Sequence, residues 1–150
     1  MENLVRTGKL SSLKPAPEEV SKLLGASRRN LKDAHVKEIS PETQLDTAYK
    51  CIIQCALAAL TANGFRPSPN ELGHHVTLIQ SLPKIIGLSN DRMIVLDKLR
   101  RMRNLNDYSG DSITGEEAAA CKRAAKALLE DVEKWFKRKH PDMLLNTRSD

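Results

Sequence analysis

Aromatic side chains are scarce in this chain: one Trp, two Tyr and two Phe supply only 3% of 150 residues. A core built without them must come from Leu, Ile, Val, Met and Ala, which suits closely packed helices better than a β-sandwich. Cysteine is nearly as rare. Cys51, Cys55 and Cys121 form an odd set inside apolar helical patterns. No disulfide framework is expected, and they read as reduced, buried thiols of a cytoplasmic protein. Cys51 and Cys55 stand four residues apart but have no nearby Cys or His to complete a zinc site, so no metal is expected. No apolar run approaches the ~20 residues needed to span a bilayer, and the N-terminal charges precede no long apolar stretch, so neither membrane insertion nor a signal peptide is expected. Also missing are a Gly-rich phosphate loop, a Gly-x-Ser-x-Gly elbow and a zinc-protease motif, and no cofactor is expected. No run alternates as a half-buried strand would.

What is present fits one domain with a single sizeable core. The 24 basic and 19 acidic residues leave a net charge of +5, a mild excess that favours anionic partners without requiring one.

Five helical segments have legible ends. Residues 1–16, ending in Lys14-Pro15-Ala16, read as a loosely held lead-in, and the bundle is expected over 17–139. The first helix, about Pro17 to Val36, starts on a proline and two acids suited to its positive end, with Val20, Leu23, Leu24, Leu31 and Ala34 inward. Ser40-Pro41-Glu42 caps and opens the second, which is apolar nearly all round from Ala48 to Leu60 and should lie at the centre. Gly64 suits its left-handed stop, and Pro67 and Pro69 prevent resumption. A third helix carries Leu72, Val76, Ile79 and Leu82, with Pro83 expected to end or bend it. Ser89 opens a fourth, whose inward stripe is Met93, Leu96, Leu99, Met102 and Leu105 or Asn106. Thr114-Gly115-Glu116-Glu117 is a capping box for the fifth, with Cys121, Ala125, Leu128, Val132 and Trp135 as its seam. Residues 140–150 should fray. The expected architecture is an all-α antiparallel bundle of about five helices with a four-helix up-and-down core.

The chemistry concentrates where the fourth helix runs out, at Arg100-Arg101-Met102-Arg103-Asn104-Leu105-Asn106-Asp107-Tyr108-Ser109-Gly110. Asp107 opposes the macrodipole there, and local rules tend to be broken at functional sites. In a continuous helix Arg103 faces Asp107 and Asn104 faces Tyr108, so an ion pair beside an amide–phenol contact is the bland account. The functional account is a phosphate site: Arg103 holds a phosphodiester through its planar fork, Asn104 orients it, Asp107 and Tyr108 supply a polar tip, and Arg100 and Arg101 thicken the positive field. Arg100 and Arg103 share a face and would either converge on one phosphate or repel across water. His74 and His75 open the third helix. As neighbours they point in different directions, so one suits capping or packing and the other is free to reach a phosphate or carry a proton.

These pieces in this order resemble the HEPN domain: the central helix Ala48–Leu60 with its turn Gly64-Phe65-Arg66-Pro67, the histidines after Gly73, the Arg103-Asn104-x-x-Asp107-Tyr108 helix end, and the capped last helix. The resemblance spans roughly residues 17–139. It implies a homodimer, with family members acting as metal-independent RNases, toxins or partners of nucleotidyltransferases. In active members the RNA's own 2′-hydroxyl attacks, an arginine steadies the phosphorane and a histidine moves protons. Carried over, Arg103 takes the arginine role and Asn104 the polar one, while Tyr108 stands where the histidine belongs. A phenol with an ordinary pKa near ~10 is a poor general base at neutral pH. Two functions follow from the resemblance. One is an endoribonuclease, as the toxin paired with an antitoxin, with catalytic Arg103, Asn104 and Tyr108 at a dimer cleft and phosphate contacts from Arg100, Arg101, Asp107, His74 and His75. The other is a non-catalytic dimer that binds a nucleotide, RNA or a partner such as a nucleotidyltransferase.

Overall fold

The computed structural model describes residues 10–12, 17–67 and 74–144 of the chain. It is an all-α bundle, as expected: α1 (Pro17–Ala34), α2 (Pro41–Ala62), α3 (His74–Ile86), α4 (Asn90–Ser109) and α5 (Gly115–Lys139). A short antiparallel ribbon joins β1 (Leu10–Ser12) to β2 (Phe65–Pro67), and a 3₁₀ turn, Pro141–Leu144, follows α5. Expectations for residues 1–9, 13–16, Pro69, Leu72, Gly73 and 145–150 lie outside the described residues.

The helices begin and end for local reasons. Ser40, Ser89 and Thr114 each accept from a backbone N–H of the first turn, and at Thr114 the box is closed by Glu117 accepting from the cap's own N–H. After α2 the chain turns at Gly64 with φ of 89°, and after α4 at Gly110 with φ of 72°, left-handed values that a Cβ would strain.

Burial makes α2 the centre. It packs most extensively on α1 and α5, then on α3, and also meets α4. Leu45, Ala48, Tyr49, Cys51, Ile52, Cys55, Ala56, Ala58, Ala59 and Leu60 are all buried, and the small Ala and Cys side chains allow close approach. The α5 seam (Cys121, Ala125, Leu128, Val132, Trp135) is buried as its spacing predicts. All three cysteines are free and buried. No helix among the described residues is long and apolar enough to cross a membrane.

Several expectations need correction. Leu10–Ser12, placed in the loose lead-in, pairs with Phe65–Pro67, and Arg66 of that ribbon bonds Glu19 of α1 at 3.1 Å. Three residues per strand are too few to show alternation. Of the two outcomes expected at Pro83, ending α3 is overturned: the helix runs on to Ile86, and the proline costs one intrahelical hydrogen bond. Met143 and Leu144, assigned to a fraying tail, are buried. In α4 the expected stripe holds through Leu96 and Leu99, which are buried, and Met93 and Met102, which pack part-buried against the core. It ends there: Leu105 is 63% exposed, and Asn106 turns instead to the Asp111 carbonyl.

Replacing Ile52, fully buried on the central helix, by Ala should cost about 2–5 kcal/mol in urea denaturation through lost transfer energy and the cavity left behind. The adjacent Ile53→Ala, at a half-buried position, should cost distinctly less. Equal losses would contradict the central placement of α2.

Candidate functional site

Burying Tyr49 on α2 sets up the polar cluster. A buried phenol needs a partner for its hydroxyl, and Tyr49 finds it in His75 Nδ1 at 2.9 Å, from the first turn of α3. The rings lie 5.5 Å apart. Over the Tyr49 ring, from α4, sits the Arg103 guanidinium, 5.3 Å from the centroid, a cation–π arrangement. Arg103 is itself only 26% exposed, so its charge requires compensation. Asp46, one turn before Tyr49 on α2, accepts from Arg103 Nε at 3.0 Å, and Asp107 lies 3.5 Å from the same atom. Arg103 is thus clamped through Nε and one face. No described residue accepts a hydrogen bond from its two Nη groups.

Charge and burial shift the titratable groups. Burial pushes the Tyr49 phenol well above its ordinary value, against the opposing pull of Arg103 and Arg100, so it stays protonated. Burial, then the positive charge of Arg103, and lesser contributions from His74 and Arg100, lower His75 below its ordinary 6.5. His75 is therefore neutral at pH 7. With a protonated phenol as donor, Nδ1 accepts from Tyr49 and the imidazole proton resides on Nε2. On α5, burial and the nearby Asp46 push the Cys121 thiol up to about 12, so it is no nucleophile.

The structure gathers Arg103, Asp107 and His75 around Tyr49, with Arg100 near enough to act on the phenol. Arg100 and Arg103 do not share one ligand-ready surface: Arg100 bonds Asp97 at 2.9 Å, and Arg101 bonds the other oxygen of Asp97 at 2.9 Å. His74 lines a groove of about 280 Å³ with Glu19, Arg66 and His75, and its buried Nε2 has no hydrogen-bond partner among the described residues. Asn104 and Tyr108 form no hydrogen bond with one another, contrary to the four-residue spacing, because Tyr108 is 91% exposed and points to solvent. In the continuous helix Arg103 and Tyr108, five residues apart, are rotated by about 140°. The motif is split across two sides of α4.

Asp46 and Tyr49 were missed as site residues. Their only sequence signal was an acid and a phenol three apart on an otherwise apolar helix, which by itself does not indicate α4. Among the described residues no three His, Cys, Asp or Glu side chains cluster as a metal site would.

Because His75 in the unfolded chain takes a proton at higher pH than in the folded one, the folded state should lose stability as pH falls below 6.5. Denaturation of wild type and His75→Gln between pH 5 and 8 checks this, since the substitution should remove that part of the pH dependence. Parallel profiles would mean that His75 is not held neutral.

Compared with models of known protein families, with curated proteins and with solved structures, the chain matches none.

Proposed function

We propose that this protein is a HEPN-type helical module that binds an RNA phosphodiester at Arg103 and works as a homodimer. The observation that carries this reading is the Arg103 clamp. Its Nε is anchored by Asp46 and its face by Tyr49, leaving the two Nη groups as a pre-oriented fork of the kind that grips phosphate oxygens. Its surroundings are nearly neutral: Arg100, Arg101 and Arg103 pair with Asp46, Asp97 and Asp107. Affinity at this point should rest on geometry more than on field.

The dimer reading is supported by the outer face of α4. Ile94, Lys98, Arg101, Leu105 and Tyr108 step by four and three along one stripe, and Ile94, Leu105 and Tyr108 are 60%, 63% and 91% exposed. Shallow grooves of about 390 Å³ flank the stripe on both sides, sharing Lys98 and Arg101. A helical stripe whose exposed apolar residues have no cover among the described residues suits self-packing across a two-fold axis, where each residue is used twice.

A second reading, the metal-independent endoribonuclease, is favoured by the neutral His75 near Arg103. Cutting requires a base that takes the 2′-hydroxyl proton while the oxygen attacks phosphorus, and an acid that protonates the departing 5′-oxygen, leaving a 2′,3′-cyclic phosphate. In one chain His75 has Nδ1 engaged by Tyr49, and Tyr108 lies on the far side of α4. Binding is therefore the better supported of the two.

Anisotropy titration with a labelled single-stranded RNA should show Arg103→Ala weakening binding about tenfold or more, with Arg103→Lys failing to restore it because the fork is lost. A folded Arg103→Ala protein that binds like wild type would overturn the assignment. Arg103-dependent, chelator-resistant products ending in cyclic phosphate would replace the binding reading by the nuclease.

Sedimentation across the micromolar range should give a dimer that Leu105→Glu converts to a folded monomer. A wild-type monomer, or a dimer indifferent to the substitution, would remove the α4 interface.

A further inference from the structure

Ion pairing uses up most of the arginines seen so far, but one group of cations forms no ion pair among the described residues. The last turns of α5 present Lys134, Lys137 and Arg138 to a groove of about 660 Å³, whose other wall is the α3–α4 turn and the start of α4. Ile86 and Leu88 give the groove apolar lining, and Arg92 from α4 also reaches it. Arg92 is already committed to Asp131, the one carboxylate in the lining. Glu133, one turn before Lys137, is turned to Arg28 at 3.0 Å. Among the described residues no ion pair forms to Lys134, Lys137 or Arg138.

This arrangement works against the fold that carries it. Lys134 stands three residues from Lys137 and four from Arg138, spacings at which like charges repel on a helix. The negative end of α5 calls for some basic charge, but its effective size is only about half an elementary charge. Lys139, nearer the helix end and outside the groove, already supplies more than that. Three unpaired cations converging on a groove with apolar lining fit an anion better than they fit helix capping.

We infer that this groove is a site for a phosphomonoester or pyrophosphate group attached to a nucleoside-sized body. The charge favours a terminal phosphate over a chain phosphodiester: a diester offers one negative charge, whereas a terminal phosphate offers about two. The volume lies in the range of small-molecule sites, and Ile86 and Leu88 provide a surface against which a base or sugar packs. The site shares no residue with the Arg103 clamp and does not depend on it. Its ligand is either a free nucleotide or the 5′-phosphate end of an RNA, and both present the same chemistry to Lys134, Lys137 and Arg138.

The test uses the full chain in calorimetry and thermal-shift titrations at constant ionic strength, with inorganic pyrophosphate, AMP, and matched 5′-phosphorylated and 5′-hydroxyl RNA oligonucleotides as probes. Saturable binding of pyrophosphate and of AMP is expected, and tighter binding of AMP or of the 5′-phosphorylated RNA identifies the source. The double variant Lys134→Gln/Arg138→Gln should weaken binding at least about tenfold. Its melting temperature without ligand should stay level or rise, since a repulsion is removed. Arg103→Ala should leave pyrophosphate and AMP binding intact while weakening RNA binding through the clamp, which separates the two sites. The inference falls if neither pyrophosphate nor AMP binds saturably, if chloride at equal ionic strength gives the same stabilisation, if the double variant binds them as wild type does, or if Arg103→Ala abolishes their binding.

Discussion

The burial of Tyr49 in an otherwise apolar central helix is the constraint from which the polar side of this molecule follows. α2 is covered on several sides, so almost every residue it carries must be apolar or small. A phenol placed there is tolerated only if its hydroxyl is satisfied and its ring is packed. His75 meets the first need from α3 and Arg103 meets the second from α4. A half-buried guanidinium then needs a carboxylate, and Asp46 supplies it one turn away from Tyr49. Three helices are tied together by one chain of necessities, and the same chain fixes the orientation of the arginine that carries the proposed function.

α4 has the least buried surface role of the five helices and divides into two faces of different character. Its inner side holds Leu96 and Leu99 in the core and the paired Arg100 and Arg103 at the edge. Its outer side carries Ile94, Leu105 and Tyr108 into solvent. The rotation between Arg103 and Tyr108 means that the two ends of the motif answer to different demands. The arginine is held by the fold of its own chain. The tyrosine, 91% exposed and without a hydrogen bond or ring contact among the described residues, is suited to contact outside its own chain.

Local rules made much of the fold legible. Ser40, Ser89 and Thr114 are caps because their side chains satisfy free N–H groups in the first turn, and Gly64 takes positive φ, as its place after the apolar run of α2 predicted. The centrality of α2 followed from the lack of a polar stripe. What sequence spacing could not supply were the contacts between helices. Arg103 was matched with Asp107 four residues on, whereas its shorter bond is to Asp46, 57 residues away. The Asn104–Tyr108 pair failed because spacing brings two side chains within reach but gives exposed ones no reason to stay together. The β1–β2 ribbon and the packed Met143 and Leu144 were missed for a similar reason: both depend on surfaces that only the assembled bundle provides.

The distribution of ion pairs matters more here than the net charge of +5. Around Arg103 each cation except Lys98 has a carboxylate close by, so little field extends beyond the ~8 Å over which charge is felt at physiological salt. The recognition proposed there rests on the shape of the fork, which acts at contact distance and discriminates planar, two-pronged acceptors. Along the end of α5 Lys134, Lys137 and Arg138 form no ion pair among the described residues, so their field reaches outward, favours anions, and is weakened by salt. An RNA carrying a terminal phosphate offers something to each: a strong charge for the groove and a diester for the fork. The two proposed sites therefore differ in kind, one attracting by charge and the other selecting by geometry, and raising salt should erode binding at the first well before the second.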